Sequence, residues 1–283
     1  MDTEREGKSS EGKTKIIYNT SNFNYVDIVH KDDITAGNGK RHDIIKGKGV
    51  FSNDMTCNIF ERLCSEGIPN HFVRVTSDNS FLAVRLLMLK TEVVVRGRAD
   101  GSYLKRYPDV EKGTKIDPLV VEFYLKDDKQ GDPLMEWNQE QGLFKLWDPS
   151  KPRKGDNSTF VGFCRPELRL ASLNPSENMS NVPTNLVELA ILRELSLKSF
   201  ILLHRLWRIL GYDLWDMKIE CGRTQNGIII IGDALTNDEH RLTFGDEQMD
   251  KQVYRNLKEV TPEALAMIRQ KYQRVASETR KFL

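Results

Sequence analysis

The chain has 283 residues, 39% of them hydrophobic, with 42 basic against 41 acidic side chains and four cysteines. That length supports a large core in one large or two modest domains, and a net charge of +1 argues against a nucleic-acid-binding or polybasic membrane protein. No apolar run approaches the roughly 18 residues of a membrane span, the charged opening MDTEREGKSSEGK has no apolar signal core, and the cysteines form no CxxC pair. A soluble cytoplasmic protein without disulfides is expected.

Residues 1–10 read as a flexible tail, because nothing in them can be buried. Short β-rich runs follow at Ile16–Tyr18, Tyr25–Val29 and Phe72–Val75. Between the last two lies a helix in which Met55, Ile59, Phe60 and Leu63 recur at helical spacing, with Ser52 as N-cap and Gly67 and Pro69 as stop. Phe81 to Arg96 predicts two buried strands with a break near Lys90, so residues 11–90 form an N-terminal lobe and 91–283 a second one. From Asp127 to about Asn181 the chain is rich in Pro, Gly, Asn, Ser and charge, which predicts an insertion at about 134–180, packed on the surface or closing as a lid. A long helix over Pro183–Leu210, carrying Leu186, Leu189, Leu192, Leu195, Leu203, Leu206 and Leu210 on one face, ends at Gly211. Thr261-Pro262-Glu263 opens the last helix with a cap, a first-turn proline and a favourable charge.

The segment between those helices, DMKIECGRTQNGIIIIGD, carries most of the chemistry. Asp216, Lys218 and Glu220 alternate with apolar residues, so a strand places all three on one face. Gly222 and Asn226-Gly227 supply a turn, and a returning strand brings Asp233 back toward that edge. Carboxylates about 5 Å apart repel by roughly 3 kcal/mol at an effective dielectric of 20, so such a cluster raises a pKa or recruits a cation. Oxygen donors without Cys or His favour Mg²⁺ over Zn²⁺. An exposed hairpin face with ordinary charge alternation is the competing reading. Gly12-Lys13-Thr14-Lys15, running into a strand, can meet phosphates but lacks the Walker A pattern. The loop Asp33 to Lys40, with Gly37 and Gly39 flanking Asn38, is compatible with an anion nest. Arg96, Arg98, Ser102 and Arg106 at a Gly-rich strand end suit bidentate phosphate binding, and Arg241 falls in an expected loop. No histidine has a partner at metal or triad spacing.

Eight pieces in order, EGKTKIIY, DDITAGNGK, GIPNHF, EVVVRGRADGS, LKDDKQGDP, GYDLWDMKIECG, IGDALTNDEHR and DKQVYR, resemble the SAICAR synthetase family of purine biosynthesis from about Glu11 to Arg255. The resemblance implies a two-lobed α+β fold with antiparallel sheets and packed helices, of ATP-grasp or kinase-like kind. It also implies a ligase that condenses L-aspartate with carboxyaminoimidazole ribonucleotide (CAIR), consuming ATP with Mg²⁺. By the same resemblance Gly12, Lys13, Thr14 and Lys15 hold ATP phosphates, Met88 and Glu92 sit beside adenine, and Lys126 reaches the nucleotide. Glu220 and Asp233 match the metal carboxylates, with Lys218 near the phosphates and the CAIR carboxylate. Arg96, Ser102 and Arg241 match a clamp on the 5′-phosphate, and Asp216, Thr236 and Asp238 surround the CAIR ring and ribose. The loop from Thr35 to Gly39, including Gly37 and Asn38, with Asp132, faces the aspartate and carboxylate end. Asn38 stands where some members carry Asp, so a role needing charge does not transfer to it. Relatives of this kind suggest a homo-oligomer. A small-molecule kinase of the inositol-phosphate-kinase type is the alternative, since Asp216-x-Lys218 with an acid at 233 also suits it; that reading leaves DDITAGNGK and RADGS unexplained.

Overall fold

A computed structural model describes residues 3–37, 39–153, 159–166, 170–174 and 177–283. In chain order it begins with β1 (Arg5–Glu11), β2 (Lys15–Thr20), β3 (Tyr25–His30), β4 (Asp33–Ala36), β5 (Arg41–Ile44), α1 (Lys48–Ser65), β6 (Phe72–Ser77) and β7 (Ser80–Val84). Then come β8 (Leu87–Arg98), α2 (Ser102–Arg106), β9 (Lys115–Leu125), β10 (Leu134–Asn138), β11 (Leu143–Trp147), β12 (Phe160–Cys164), β13 (Leu170–Asn174), β14 (Glu177–Ser180) and α3 (Leu186–Ile209). The chain closes with β15 (Tyr212–Arg223), β16 (Ile229–Gly232), β17 (His240–Phe244), β18 (Glu247–Gln248), α4 (Gln252–Arg255) and α5 (Pro262–Thr279). The fold is α+β, with antiparallel pairing across the five-stranded sheet and from β12 through β15 to β16 of the larger one.

Two compact units result. The first contains residues 1–85, 204–213 and 234–283, the second residues 86–203 and 214–233. The division therefore falls at Arg85/Leu86 instead of after residue 90, and two C-terminal segments expected in the second lobe group with the N-terminal residues. The reason is packing: α5 lies against α1, with Asn58 donating to the Thr279 hydroxyl at 3.0 Å.

In the first unit the sheet order is β1-β2-β3-β7-β6, and α1 packs on β3, β6 and β7. Met55, Ile59, Phe60, Leu63, Phe81, Tyr272 and Val275 are buried there. The expected tail is instead strand β1, whose Glu11 pairs with Ile16 and Arg5 with Thr20. Its residues are all exposed and carry no hydrophobic pattern to read; the strand is held at an open sheet edge by backbone bonding and by Arg5, which donates to Asp27 and Ser80. Helix α1 begins at Lys48, a turn before Ser52, which is buried. The cap comes from a distant residue: the Asp32 carboxylate accepts from the backbone N–H of Gly47 (3.0 Å) and Gly49 (2.8 Å). At the other end Gly67, φ +73°, turns the chain so that the N–H of Ile68 reaches the Leu63 carbonyl.

In the second unit the strands run β12-β11-β10-β9-β8-β15, and β16 pairs with β15. The break expected near Lys90 lies at Arg85-Leu86, and β8 passes unbroken through Lys90. The 134–180 segment is more than a surface appendage. Its first strands extend the sheet from β9, and Met135, Phe144, Leu146 and Cys164 join Leu125, Val182 and Leu189 in one buried cluster. Along α3 the expected Leu189, Leu192, Leu195 and Leu203 are buried, with Phe200, while Leu186 is exposed. Among the described residues no helix is long and apolar enough to cross a membrane, and none of the cysteines is in a disulfide.

Candidate functional site

The β8–β15 register decides which side chains meet. Asp216 lies opposite Arg96, Lys218 opposite Val94 and Glu220 opposite Glu92. On the other side of β8, Glu92 pairs with Tyr124, Val94 with Glu122 and Arg96 with Val120 of β9. Because side chains alternate along strands, Glu92, Arg96, Glu122, Tyr124, Asp216, Lys218 and Glu220 share one sheet face. Val93, Val95, Phe123, Met217 and Ile219 occupy the other.

The polar face divides into two groups. In the first, Lys218 Nζ donates to Glu92 Oε1 at 2.9 Å and to Glu220 Oε1 at 2.8 Å, and Lys126 Nζ donates to Glu220 Oε2 at 2.6 Å. Burial, and to a lesser degree the Asp233 carboxylate, would push the Glu220 carboxyl up, but Lys218 and Lys126 together outweigh them, so the acid stays below its ordinary value. The β15–β16 register pairs Glu220 with Gly232 and so puts Asp233 one residue beyond. Asp233 has φ +58°; it and Asp132 are the non-glycine residues with positive φ among those described, and left-handed backbone at such residues clusters at functional sites. Asp132 closes its own turn, accepting the Asp127 N–H at 2.9 Å.

In the second group Arg96 is 3% exposed. Its Nε donates to Glu122 (2.7 Å), Nη1 to Asp216 (3.1 Å) and the Asp100 carbonyl (3.4 Å), and Nη2 to Ser102 Oγ (3.0 Å) and Tyr124 Oη (3.3 Å). Arg106, also buried, reaches both Glu122 and Tyr124. Burial works against ionising Glu122, and the two arginines overcome it and hold its carboxyl below the usual range. Glu122, Tyr124 and this role of Arg106 were missed in the sequence, although Glu122-x-Tyr124-x-Lys126 alternates in the same way as Asp216-x-Lys218-x-Glu220.

Gly222 does not turn the chain. It lies inside β15, where a Cβ would stand 2.7 Å from the Leu86 side chain and 3.1 Å from Met88 Sδ; one on Gly232 would stand 2.9 Å from Leu86 and 3.0 Å from Met88 Sδ. The two glycines let Leu86 and Met88 lie directly on the hairpin. The turn itself is Thr224–Ile228.

The remaining expected residues lie in the first unit. Gly12–Thr14 link β1 and β2, where the Gly12 N–H donates to the Lys15 carbonyl at 2.8 Å and the Lys31 N–H to that of Thr14. Thr35 is on β4 and Gly37 begins the turn that follows; Asn38 is outside the described residues. Thr236 Oγ1 donates to Glu239 and accepts the Asp238 N–H. Asp238 receives Lys251 at 3.2 Å, Lys48 at 3.5 Å and the Tyr272 hydroxyl. Burial opposes its charge, but Lys48 and Lys251 overcome that and hold the carboxyl far below the aspartate range. Arg241 is on strand β17 instead of in a loop. Of the expected phosphate clamp, Arg96 and Ser102 are in contact, and Arg241 belongs to the other unit.

No group of three or more His, Cys, Asp or Glu arranged to hold a metal occurs among the described residues. Glu220 and Asp233 form a pair of oxygen donors, which suits a cation that keeps waters and takes phosphate oxygens, as Mg²⁺ does. Zinc, which prefers Cys and His, does not fit them.

The family model for SAICAR synthetase matches residues 8–157 and 173–271. A phosphoribosylaminoimidazole-succinocarboxamide synthase of Roseiflexus castenholzii is 34% identical over 276 residues, covering 96% of each chain. The crystal structure of the enzyme of that name from Ehrlichia chaffeensis aligns with TM-score 0.75 at 26% identity, over 97% of this chain and 98% of that one. A SAICAR synthetase solved in complex with ADP aligns with TM-score 0.71 at 26% identity, over 93% of this chain and 96% of the other.

Proposed function

The chain belongs to the SAICAR synthetase family, and on that premise we propose that it condenses L-aspartate with CAIR in purine biosynthesis, converting ATP to ADP and phosphate. A carboxylate is a poor electrophile, because oxide is a bad leaving group. Transfer of the γ-phosphoryl group to a carboxylate oxygen of CAIR makes an acyl phosphate. The aspartate amine then attacks the acyl carbon, the C–N bond forms, the C–O bond to phosphate breaks, and the amine gives up a proton. The protein's task is to position anions and neutralise charge as it moves.

The observation that carries this reading is the Glu92–Lys218–Glu220–Lys126 chain beside Asp233, in which two lysines rest on carboxylates and can turn to phosphoryl oxygens. Glu220 and Asp233 would hold Mg²⁺, which when bound offsets phosphate charge. Lys218 would face the transferring phosphoryl group and the CAIR carboxylate, with Asp216 and Asp132 at the reacting end. Gly12 to Lys15 would take the ATP phosphates, Met88 and Glu92 the adenine, and Lys126 the nucleotide. Arg96, Ser102 and Arg241 would serve the 5′-phosphate, Thr236 the ribonucleotide, and Thr35 and Gly37 the aspartate. The relative bound to ADP supports ATP use.

Mixing the protein with ATP, Mg²⁺, CAIR and aspartate should release ADP only when both CAIR and aspartate are present. ADP release that does not require both, or a phosphorylated alcohol as the stable product, would overturn the reading.

A further inference from the structure

Every N–H of the Arg96 guanidinium is engaged, but not with equal partners. Nε and Nη1 face the carboxylates of Glu122 and Asp216, whereas Nη2 faces the neutral hydroxyls of Ser102 and Tyr124. An incoming phosphate oxygen displaces a neutral hydroxyl far more easily than a buried carboxylate, so Nη2 is the edge of Arg96 open to exchange. Which edge that is depends on Glu122. Its Oε2 takes Arg96 Nε and the Tyr124 hydroxyl at 2.7 Å each, and its Oε1 takes Arg106. Two arginines this close and this buried would repel without an acid between them, and Arg96 would lose the partner of its Nε edge, leaving Asp216 as the one carboxylate among the described residues that orients it. Tyr124 completes the frame, accepting from Arg106 Nη1 at 2.9 Å while donating to Glu122.

We propose that Glu122 is a positioning residue for ribonucleotide binding: bridging Arg96 and Arg106, it fixes the Arg96 guanidinium so that its Nη2 edge, beside Ser102, meets the substrate's phosphate. Tyr124 supports the same alignment. This rests on the reading that Arg96 and Ser102 serve the 5′-phosphate, and it adds two residues that touch no substrate.

The experiment compares wild type, Glu122→Gln and Tyr124→Phe for melting temperature and for KM toward CAIR, ATP and aspartate. Glu122→Gln keeps shape but loses the charge, and should raise the CAIR KM by about tenfold or more with the ATP KM changed by less than about twofold. Tyr124→Phe removes one hydroxyl and should raise the CAIR KM about threefold with the same selectivity. Equal rises in all three KM values, a fall in kcat alone, or an unchanged CAIR KM in Tyr124→Phe where Glu122→Gln does not fold would overturn the proposal. Wild-type protein that does not couple ADP release to CAIR and aspartate would overturn the proposed function and this inference with it. The other negative outcomes overturn the inference alone.

Discussion

Asp238 in the first unit and Glu220 in the second are both buried carboxylates held by a pair of lysines. In the first unit Asp238 lies between Lys48 and Lys251, and the lysine side chains are 2% and 11% exposed. In the second, Glu220 lies between Lys218 and Lys126, which are 25% and 50% exposed. The acids themselves are equally buried. What differs is the cations, and the tyrosine: Tyr272 caps Asp238 with its hydroxyl while Lys48 lies 5.0 Å over its ring. No counterpart to Tyr272 is needed at Glu220, where Asp233 brings negative charge instead of closure. Similar ion-pair chemistry thus gives a sealed fastener in one place and an exchangeable site in the other, because lysines in contact with water can leave their carboxylate for a ligand at little penalty. Asp238, expected from resemblance at the ribonucleotide, is committed in this structure to joining its loop to α1 and α5.

The largest effect should come from breaking the sealed side. Asp238→Ala leaves two buried lysines uncompensated and should destabilise the protein by roughly 3–5 kcal/mol in urea unfolding. A loss below about 1 kcal/mol would mean that the lysines reach water and the contrast is false.

The same interior can be probed by pH. His240 is buried beside Asp238, and burial lowers it to about 4; Asp250 is buried too, and burial raises it to about 6 against the backbone N–H groups of Gln252 and Leu242 that favour its charge. The histidine stays neutral in the fold while an unfolded chain would protonate it, so its contribution is present above pH 6.5 and is lost toward pH 4. Asp250 behaves oppositely: protonated in the fold, it stabilises below pH 3.8, and that contribution is lost as pH rises through 6. Each spans about 3 kcal/mol, so between pH 4 and 6 they offset each other. His240→Leu should therefore make stability rise on acidification in this window, and Asp250→Asn should make it fall. Parallel slopes in the two variants would show that one of these groups is open to solvent.

The open side should show its effect in turnover. Glu220→Gln and Asp233→Asn should each lose about 100-fold or more in condensation rate, with unfolding free energy changed by less than about 1 kcal/mol. Near-normal turnover at limiting Mg²⁺ would remove either residue from the metal site, and a large loss of stability would make Glu220 a fastener like Asp238.

Strand alternation made the Asp216–Glu220 face and the returning Asp233 legible without a structure, since period two along a strand is a local property, and Thr261 does cap α5, accepting the Ala264 N–H at 3.2 Å. The α+β character, the helix stops at Gly67 and Gly211, and the eight motif pieces that carry the family resemblance were local in the same sense. Register is not local. That Glu122 and Tyr124 stand with Arg96, that Leu86 and Met88 need bare glycines at 222 and 232, and that Asp32 caps a helix sixteen residues on all depend on partners distant along the chain. Edge strand β1 escaped for a related reason: main-chain hydrogen bonds to a neighbouring strand leave no mark on side-chain composition. Sequence could identify which charges alternate; only tertiary pairing decided which were sealed and which remained open to exchange, because solvent access is set by what the rest of the chain places over them.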